Sequence, residues 1–283
     1  MYDIKLTFYG VRGSYPVSGK RVARFGGNTS SILIETDDQP LILDAGTGII
    51  EIGNYFQKKL PQLKKISIFL SHFHTDHIQG LPFFKPMYDN EFEIDIYGFE
   101  NAQHKLSDTV YSLFKPPLSP IEEKGVKAKI NFRALDTDHP RMIPIGHTAV
   151  VEYIREDHPL SGVLVYRIAF GQKHIVYSTD VETPEGFKKE TLEFITGADA
   201  LIHDSMYFDK DYNSSTFSKK GFGHSTVSMA VSNAIQGNVK KLFLFHYNPD
   251  YPDRDIVKMR EEAKKRFKNT FLSEESRGFK LRR

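Results

Sequence analysis

Residues 66–77 read ISIFLSHFHTDH, an apolar run that ends abruptly in three histidines and an aspartate. A short apolar run bounded in this way is expected of a strand buried on both faces, so its sheet needs a packed layer on each side. The polar residues then stand at the carboxyl end of a buried strand, where α/β folds commonly gather ligands. His72, His74 and His77 supply neutral nitrogen and Asp76 supplies anionic oxygen, a donor set that suits zinc, manganese or iron. The chain contains no cysteine. That excludes disulfides, thiolate zinc sites, iron–sulfur clusters and cysteine nucleophiles, and leaves His, Asp and Glu to hold any metal.

The rest of the chain supplies sheets for such a strand. IKLTFYG (4–10), SSILIE (30–35), PLILD (40–44) and EFEIDIYGF (91–99) read as strands, the second and third joined by a turn. GTGIIEIGNYFQKKL (46–60) has apolar residues at helical spacing. Residues 101–128 are the least regular: a short helix is followed by FKPPLSPIEEKG, whose prolines predict a loop or lid. Strands follow near 129–133, 148–154, 163–169, 174–180, 200–205 and 240–249, with helices over 224–236 and from Asp253 to Phe267. Ser225 or Thr226 can cap the first of these helices. TFLSEESRGFKL (270–281) looks like a closing hairpin or strand pair.

With 283 residues and no repeat, low-complexity tract or Gly/Ser linker, one domain spanning 1–283 is expected. No run approaches the roughly 18 apolar residues of a membrane span. The first residues lack a signal-peptide pattern, and a cytoplasmic location is the expectation that follows. The net charge of +2 divides unevenly: residues 253–283 hold 11 Lys+Arg against 6 Asp+Glu, a net of +5, leaving −3 elsewhere. Glu261–Lys265 and Glu262–Arg266 are i,i+4 pairs, so this basic segment reads as a solvated helix face.

One loop rarely closes a metal site, and the further candidates also stand at strand ends. His158 precedes VLVYRI, Asp180 ends HIVYSTD, and His246 ends KLFLFH. With them, His72-x-His74-x-Asp76-His77 resembles the signature of the metallo-β-lactamase superfamily, and LILDAGTG with Asp44 resembles its first motif. The resemblance covers nearly the whole chain. It implies an α/β fold, a four-layer αββα sandwich with the site at one edge. It implies two divalent ions, zinc or manganese with iron as a third option. His72, His74 and His158 would hold one, Asp76, His77 and His246 the other, and Asp180 would bridge them. Asp44 would support the loop from behind the ligands. An antibiotic-hydrolysing activity is discounted, because those members place Cys or other ligands at the bridging position.

Two further segments are similar to the phosphodiesterase branch, which includes the tRNA 3′-processing endonucleases: Gly223-His224-Ser225-Thr226 opening a helix, and Leu201-Ile202-His203-Asp204-Ser205 at a strand end. By that resemblance His224 is a general acid and Asp204, one methylene shorter than the family's Glu, orients it. Asp76 counts both as ligand and as catalytic residue. A hydroxide bridging the ions would attack phosphorus in line while His224 protonates the leaving alkoxide. GVRGSYP (10–16) and RFGGNTSS (24–31) look like a bacterial subgroup of cyclic-phosphate and cyclic-nucleotide phosphodiesterases, and Arg12 and Asn28 within them receive no role. A small phosphodiester is therefore the first substrate and a tRNA 3′ end the second, since the 101–128 segment lacks the basic arm of a tRNA nuclease. A glyoxalase-type thioester hydrolase shares the ligands, but a thiolate leaving group needs little protonation. A non-catalytic metal sensor is the remaining class, and retention of His224 argues against it. No membrane partner is expected, and a homodimer, common among relatives, is allowed. His104, His139, His147, His174 and His203 read as surface or packing residues, with His139 the rival of His158 and His203 that of Asp204.

Overall fold

The computed structural model describes residues 4–36, 38–100, 105–120 and 123–281. Two seven-stranded mixed sheets form its centre. The first contains β1 (Ile4–Gly10), β2 (Ser31–Glu35), β3 (Leu41–Leu43), β4 (Lys65–Phe69), β5 (Glu93–Phe99), β6 (Lys129–Leu135) and β14 (Gly278–Leu281), in the order β14-β1-β2-β3-β4-β5-β6. The second contains β7 (Ile143–Ile145), β8 (Ala149–Glu156), β9 (Val163–Phe170), β10 (Lys173–Ser178), β11 (Ala200–Asp204), β12 (Leu242–Phe245) and β13 (Thr270–Leu272), in the order β13-β12-β11-β10-β9-β8-β7. Helix α1 (Ile49–Lys59), the single turn α2 (Thr75–Ile78) and α3 (Leu106–Ser112) accompany the first sheet, while α4 (Lys189–Ile195), α6 (Val227–Gln236) and α7 (Asp253–Lys264) cover the second. The turn α5 (Asp209–Tyr212) precedes α6. The four-layer sandwich expected from the sequence is the fold.

Strand β4 and its extension show why an apolar run demanded a layer on each side. Ile66, Ile68 and Leu70 point into the core beneath α1, whereas Phe69 points into the core between the sheets. Burying each such side chain is worth about 1.5–3 kcal/mol. The one polar residue in the run, Ser67, faces between the sheets and its hydroxyl accepts from Gln39 Nε2 at 2.8 Å, so no orphaned group is left there. Among the described residues no helix is long and apolar enough to cross a membrane.

One expectation is corrected. Residues 270–281 do not form a hairpin: β13 pairs in parallel with β12, and β14 pairs antiparallel with β1. Each strand completes an open sheet edge, and the link between them is pinned to the first sheet by Ser276 N–H donating to the Phe8 carbonyl at 2.8 Å. In the described part of 101–128 the expected short helix is α3, and turns follow it. Leu106, Val110 and Phe114 are fully buried in the outer core of the first sheet, which ties α3 down. His104 lies outside the described residues.

Candidate active site

Strand direction assembles the site. β3 and β4 run parallel. In the second sheet β8 and β10 both lie antiparallel to β9, and β10, β11 and β12 are mutually parallel. The residues after β3, β4, β8, β10, β11 and β12 therefore all emerge at one edge of the sandwich. Seven non-glycine residues among those described have positive φ, and four of them stand here: Ser14 (62°), Asp44 (58°), Asp180 (54°) and His246 (60°). Such backbone costs about 1–2 kcal/mol per residue and persists where the surroundings impose it, typically at functional sites.

Asp44 is the support. Its buried carboxylate accepts from Ser71 N–H at 2.7 Å, Ser71 Oγ at 2.8 Å and Tyr177 Oη at 2.7 Å, and lies 2.7 Å from His77 Nδ1. That contact puts the His77 proton on Nδ1 and frees Nε2 to face the cluster.

The expected ligands converge in two groups. Ligand atoms of His72, His74, His158 and Asp180 lie within 4.8 Å of one another, and those of Asp76, His77, Asp180 and His246 do the same. Asp180 belongs to both through different oxygens. Its Oδ2 lies 3.7 Å from His72 Nε2 and 3.9 Å from His158 Nε2, while its Oδ1 lies 3.2 Å from His77 Nε2 and 3.3 Å from His246 Nε2. His158 Nε2 is 3.2 Å from His74 Nδ1, and Asp76 Oδ2 is 3.3 Å from His77 Nε2 and 3.2 Å from His246 Nε2. Two donors bound about 2.0–2.1 Å from one tetrahedral ion stand about 3.3 Å apart, so these separations suit shared cations.

The electrostatics agree. The Nε2 atoms of His72 and His77 are buried without a hydrogen-bond partner. Orphaned buried nitrogens of this kind are costly, and a cation satisfies them. Burial, with neighbouring histidines adding to it, holds His72 well below its ordinary pKa; burial likewise lowers His74 and brings His158 to about 4. These imidazoles are neutral, the form that binds metal. Burial opposes a charge on His77, yet Asp76, Asp180 and Asp44 together push its pKa well up. Asp76 and Asp180 resist the effect of burial and are held well below the carboxylate range by the surrounding histidines. The donor set thus fits two divalent ions.

Beside it stands the second feature. His224 Nδ1 is 2.8 Å from Asp204 Oδ2, and Asp204 Oδ1 accepts from Met206 N–H at 3.0 Å and Ser225 N–H at 3.2 Å. The short Asp arm therefore reaches. Burial acts against protonation of His224, but the charges of Asp204, Asp180 and Asp76 outweigh it and raise its pKa to about 9. His224 shares an opening of about 380 Å³ with Ser14, Phe73, His74, Asp76 and Asp180.

His203 is buried with its Nε2 2.9 Å from Asn233 Nδ2, and His139 is exposed beside Asp136, so neither rival joins the cluster. His147 is exposed and His174 half-buried within β10. Arg12 is fully buried and donates to the carbonyls of Gly26 at 2.9 Å, Asn248 at 3.2 Å and Tyr251 at 2.7 Å. It clamps three loops together and does not line the opening beside His224.

Two contributors escaped the sequence reading because their contacts are made to or by backbone N–H groups. Ser14 N–H donates to Asp76 Oδ2 at 2.7 Å. Glu182 accepts from Tyr212 Oη at 2.6 Å, Gly221 N–H at 2.7 Å and Gly223 N–H at 2.8 Å, holding the segment that carries His224. The available signal was glycine: a Cβ at Gly13 would meet the His246 ring at 2.4 Å, and one at Gly223 the His158 ring at 2.4 Å.

Asp44→Asn is expected to weaken metal binding about 10–100-fold, the usual cost of losing a partner behind a ligand. Asp44→Ala should also destabilise the fold by about 1–3 kcal/mol for each buried donor left unpaired. Competition with a chromophoric chelator and urea denaturation measure the two effects. Unchanged affinity in both variants would remove Asp44 from the support of the metal loop.

A family model described as a β-lactamase superfamily domain matches residues 40–247. A ribonuclease Z from Picrophilus torridus is 26% identical over 314 aligned positions, covering 98% of this chain and 96% of the relative. Among solved structures, the metallo-β-lactamase fold protein YhfI from Bacillus subtilis superposes with a TM-score of 0.71 at 19% identity, covering 99% of both chains. The short form of human tRNase Z superposes with a TM-score of 0.67 at 19% identity, covering 97% of this chain and 98% of that one.

Proposed function

This chain belongs to the metallo-β-lactamase superfamily, and from that premise we propose that it hydrolyses small phosphodiesters at a two-metal centre, with His224 as general acid. The observation that carries the proposal is the His224–Asp204 pair, 2.8 Å apart, beside two donor groups that share Asp180. His72, His74 and His158 would hold one ion, Asp76, His77 and His246 the other, and Asp180 both. When bound, zinc or manganese ions there supply positive charge for the phosphoryl oxygens and lower the pKa of water.

The protein's own groups do the rest. Asp204 binds His224 Nδ1, so the opposite nitrogen, Nε2, carries the proton to be donated. As the water oxygen bonds to phosphorus, the bond from phosphorus to the leaving oxygen breaks, and that oxygen takes the Nε2 proton. The water gives its proton to solvent, and the Asp76 carboxylate, kept in place by Ser14 N–H, stays ionised. The products are a phosphomonoester and an alcohol, and a proton from solvent restores His224.

Cleavage of RNA 3′ ends is the second reading. Its support is that relatives named ribonuclease Z match along nearly their whole length. Against it, all fourteen strands among the described residues lie in the two sheets, leaving no strand pair to project as a basic arm. The relatives also carry residues without a counterpart here, since 314 aligned positions exceed the 283 of this chain.

Hydrolysis of bis-p-nitrophenyl phosphate by protein of measured metal content tests the proposal. We expect about two ions per chain, loss of turnover on chelation, and recovery with Mn²⁺ or Zn²⁺. Two bound ions without turnover would overturn it. Comparing a cyclic nucleotide with a tRNA precursor then separates the two substrate readings.

A further inference from the structure

Between α5 and α6 the chain runs through Asn213–Gly223 and ends on the residue before His224. Phe217 and Phe222 in this segment are 61% and 45% exposed. Their rings meet edge to face at 5.8 Å, and Lys219 Nζ lies 3.9 Å from the centre of the Phe217 ring and 5.4 Å from that of Phe222. The two phenyl rings, capped by an ammonium group, leave about half of their surface in solvent. They are nevertheless held in place, because Glu182 takes the N–H groups of Gly221 and Gly223 and the Tyr212 hydroxyl. Phe222 is two residues from His224, at most about 7 Å along the chain. Beside it lies a groove of about 860 Å³ lined by His158, Leu160, Glu182 and Gly221, with Leu160 fully exposed. The groove reaches the first donor group at His158 and this segment at Gly221.

We propose that Phe217, Phe222 and Lys219 form a stacking platform for a nucleobase, namely the base of the nucleoside that leaves from the scissile phosphodiester. This deepens the phosphodiesterase reading and rests on it. Every base presents a π-face to an aromatic ring, and an ammonium group beside the rings suits the adjoining phosphate. The position next to the general acid selects the leaving side, because His224 must contact the oxygen that this nucleoside carries away.

The chain has no tryptophan, so Phe222→Trp places a single fluorophore on the platform. Titration of this variant, with its metals bound, by adenosine 3′-monophosphate should quench the fluorescence saturably, and ribose 5-phosphate should not. In competition assays the Phe217→Ala, Phe222→Ala double variant should bind the nucleotide about 5- to 150-fold more weakly and ribose phosphate unchanged. Saturation by the mononucleotide identifies a small nucleotide as the occupant; saturation only by a single-stranded trinucleotide or longer identifies a nucleic acid strand. Either outcome supports the platform. Equal responses to nucleotide and ribose phosphate, or no response to any of the three ligands, would overturn it. Hydrolysis of bis-p-nitrophenyl phosphate by the wild type, measured in parallel, separates the two ideas. Turnover without quenching removes the platform alone, and quenching without turnover removes the hydrolase reading.

Discussion

Replacing His224 with alanine is expected to leave about two metal ions per chain in place and to lower kcat about 10²–10⁴-fold on a diester with an alkyl leaving group. The reasoning is geometric. His224 Nδ1 is committed to Asp204 at 2.8 Å, while its closest approach to the shared Asp180 is 3.8 Å. The imidazole therefore stands beside the two donor groups, and each group keeps its full set of donors without it. An alkoxide is a strong base and cannot depart unprotonated at a useful rate, whereas p-nitrophenolate is weakly basic and can. The loss should thus be far smaller on bis-p-nitrophenyl phosphate than on the alkyl diester. Elemental analysis guards the interpretation. His224 also lies within ligand distance of Asp180, Asp204 and His246. If the alanine variant lost an ion, His224 would be a ligand and its role as acid would fall. Equal losses on both leaving groups would point to the same failure.

Asp180→Ala should have the other large effect, removing metal and activity together. Asp180 is fully buried, with one oxygen turned to His72 and His158 and the other to His77 and His246. No other residue among those described belongs to both donor groups. Its loss should take the protein below two ions per chain under conditions where the wild type holds two. Turnover should fall by more than the roughly 100-fold that loss of an outer partner can cost. His74→Ala should behave in the same direction through one group alone. Circular dichroism on the purified variant separates metal loss from unfolding. An Asp180→Ala protein that kept both ions and its rate would show that the two groups do not share a ligand.

Asp180 was nameable from the sequence for a physical reason, and His224 from the likeness of its Gly-His-Ser-Thr segment to the phosphodiesterase branch. A buried strand is apolar along its length and polar where it meets the edge, so His72, Asp180, Asp204 and His246 advertise themselves by following apolar runs. The same logic placed β4 in the interior and predicted layers on both faces. It failed where local pattern carries no long-range information. TFLSEESRGFKL has the alternation of a hairpin, yet its halves join different sheets, because each completes an edge that only the assembled sandwich presents. Ser14 contributes through its N–H, which every residue but proline possesses, so its identity gave no hint of its contact with Asp76. Glu182 was one carboxylate among 36 acidic residues.

The sequence by itself determined the run of strands and helices, the absence of thiolate chemistry and the inventory of donors, because each follows from residue type and local period, while the sandwich itself was implied by a family resemblance. The tertiary structure decided which donors meet. Only the common direction of β8, β10, β11 and β12 brings His158, Asp180, Asp204 and His246 to one edge, facing the loop after β4. It also turned the two oxygens of Asp180 toward different groups and sent Arg12 inward as a clamp. Proximity between residues far apart in the chain is a property of strand order and direction, and these are set by the packing of whole sheets.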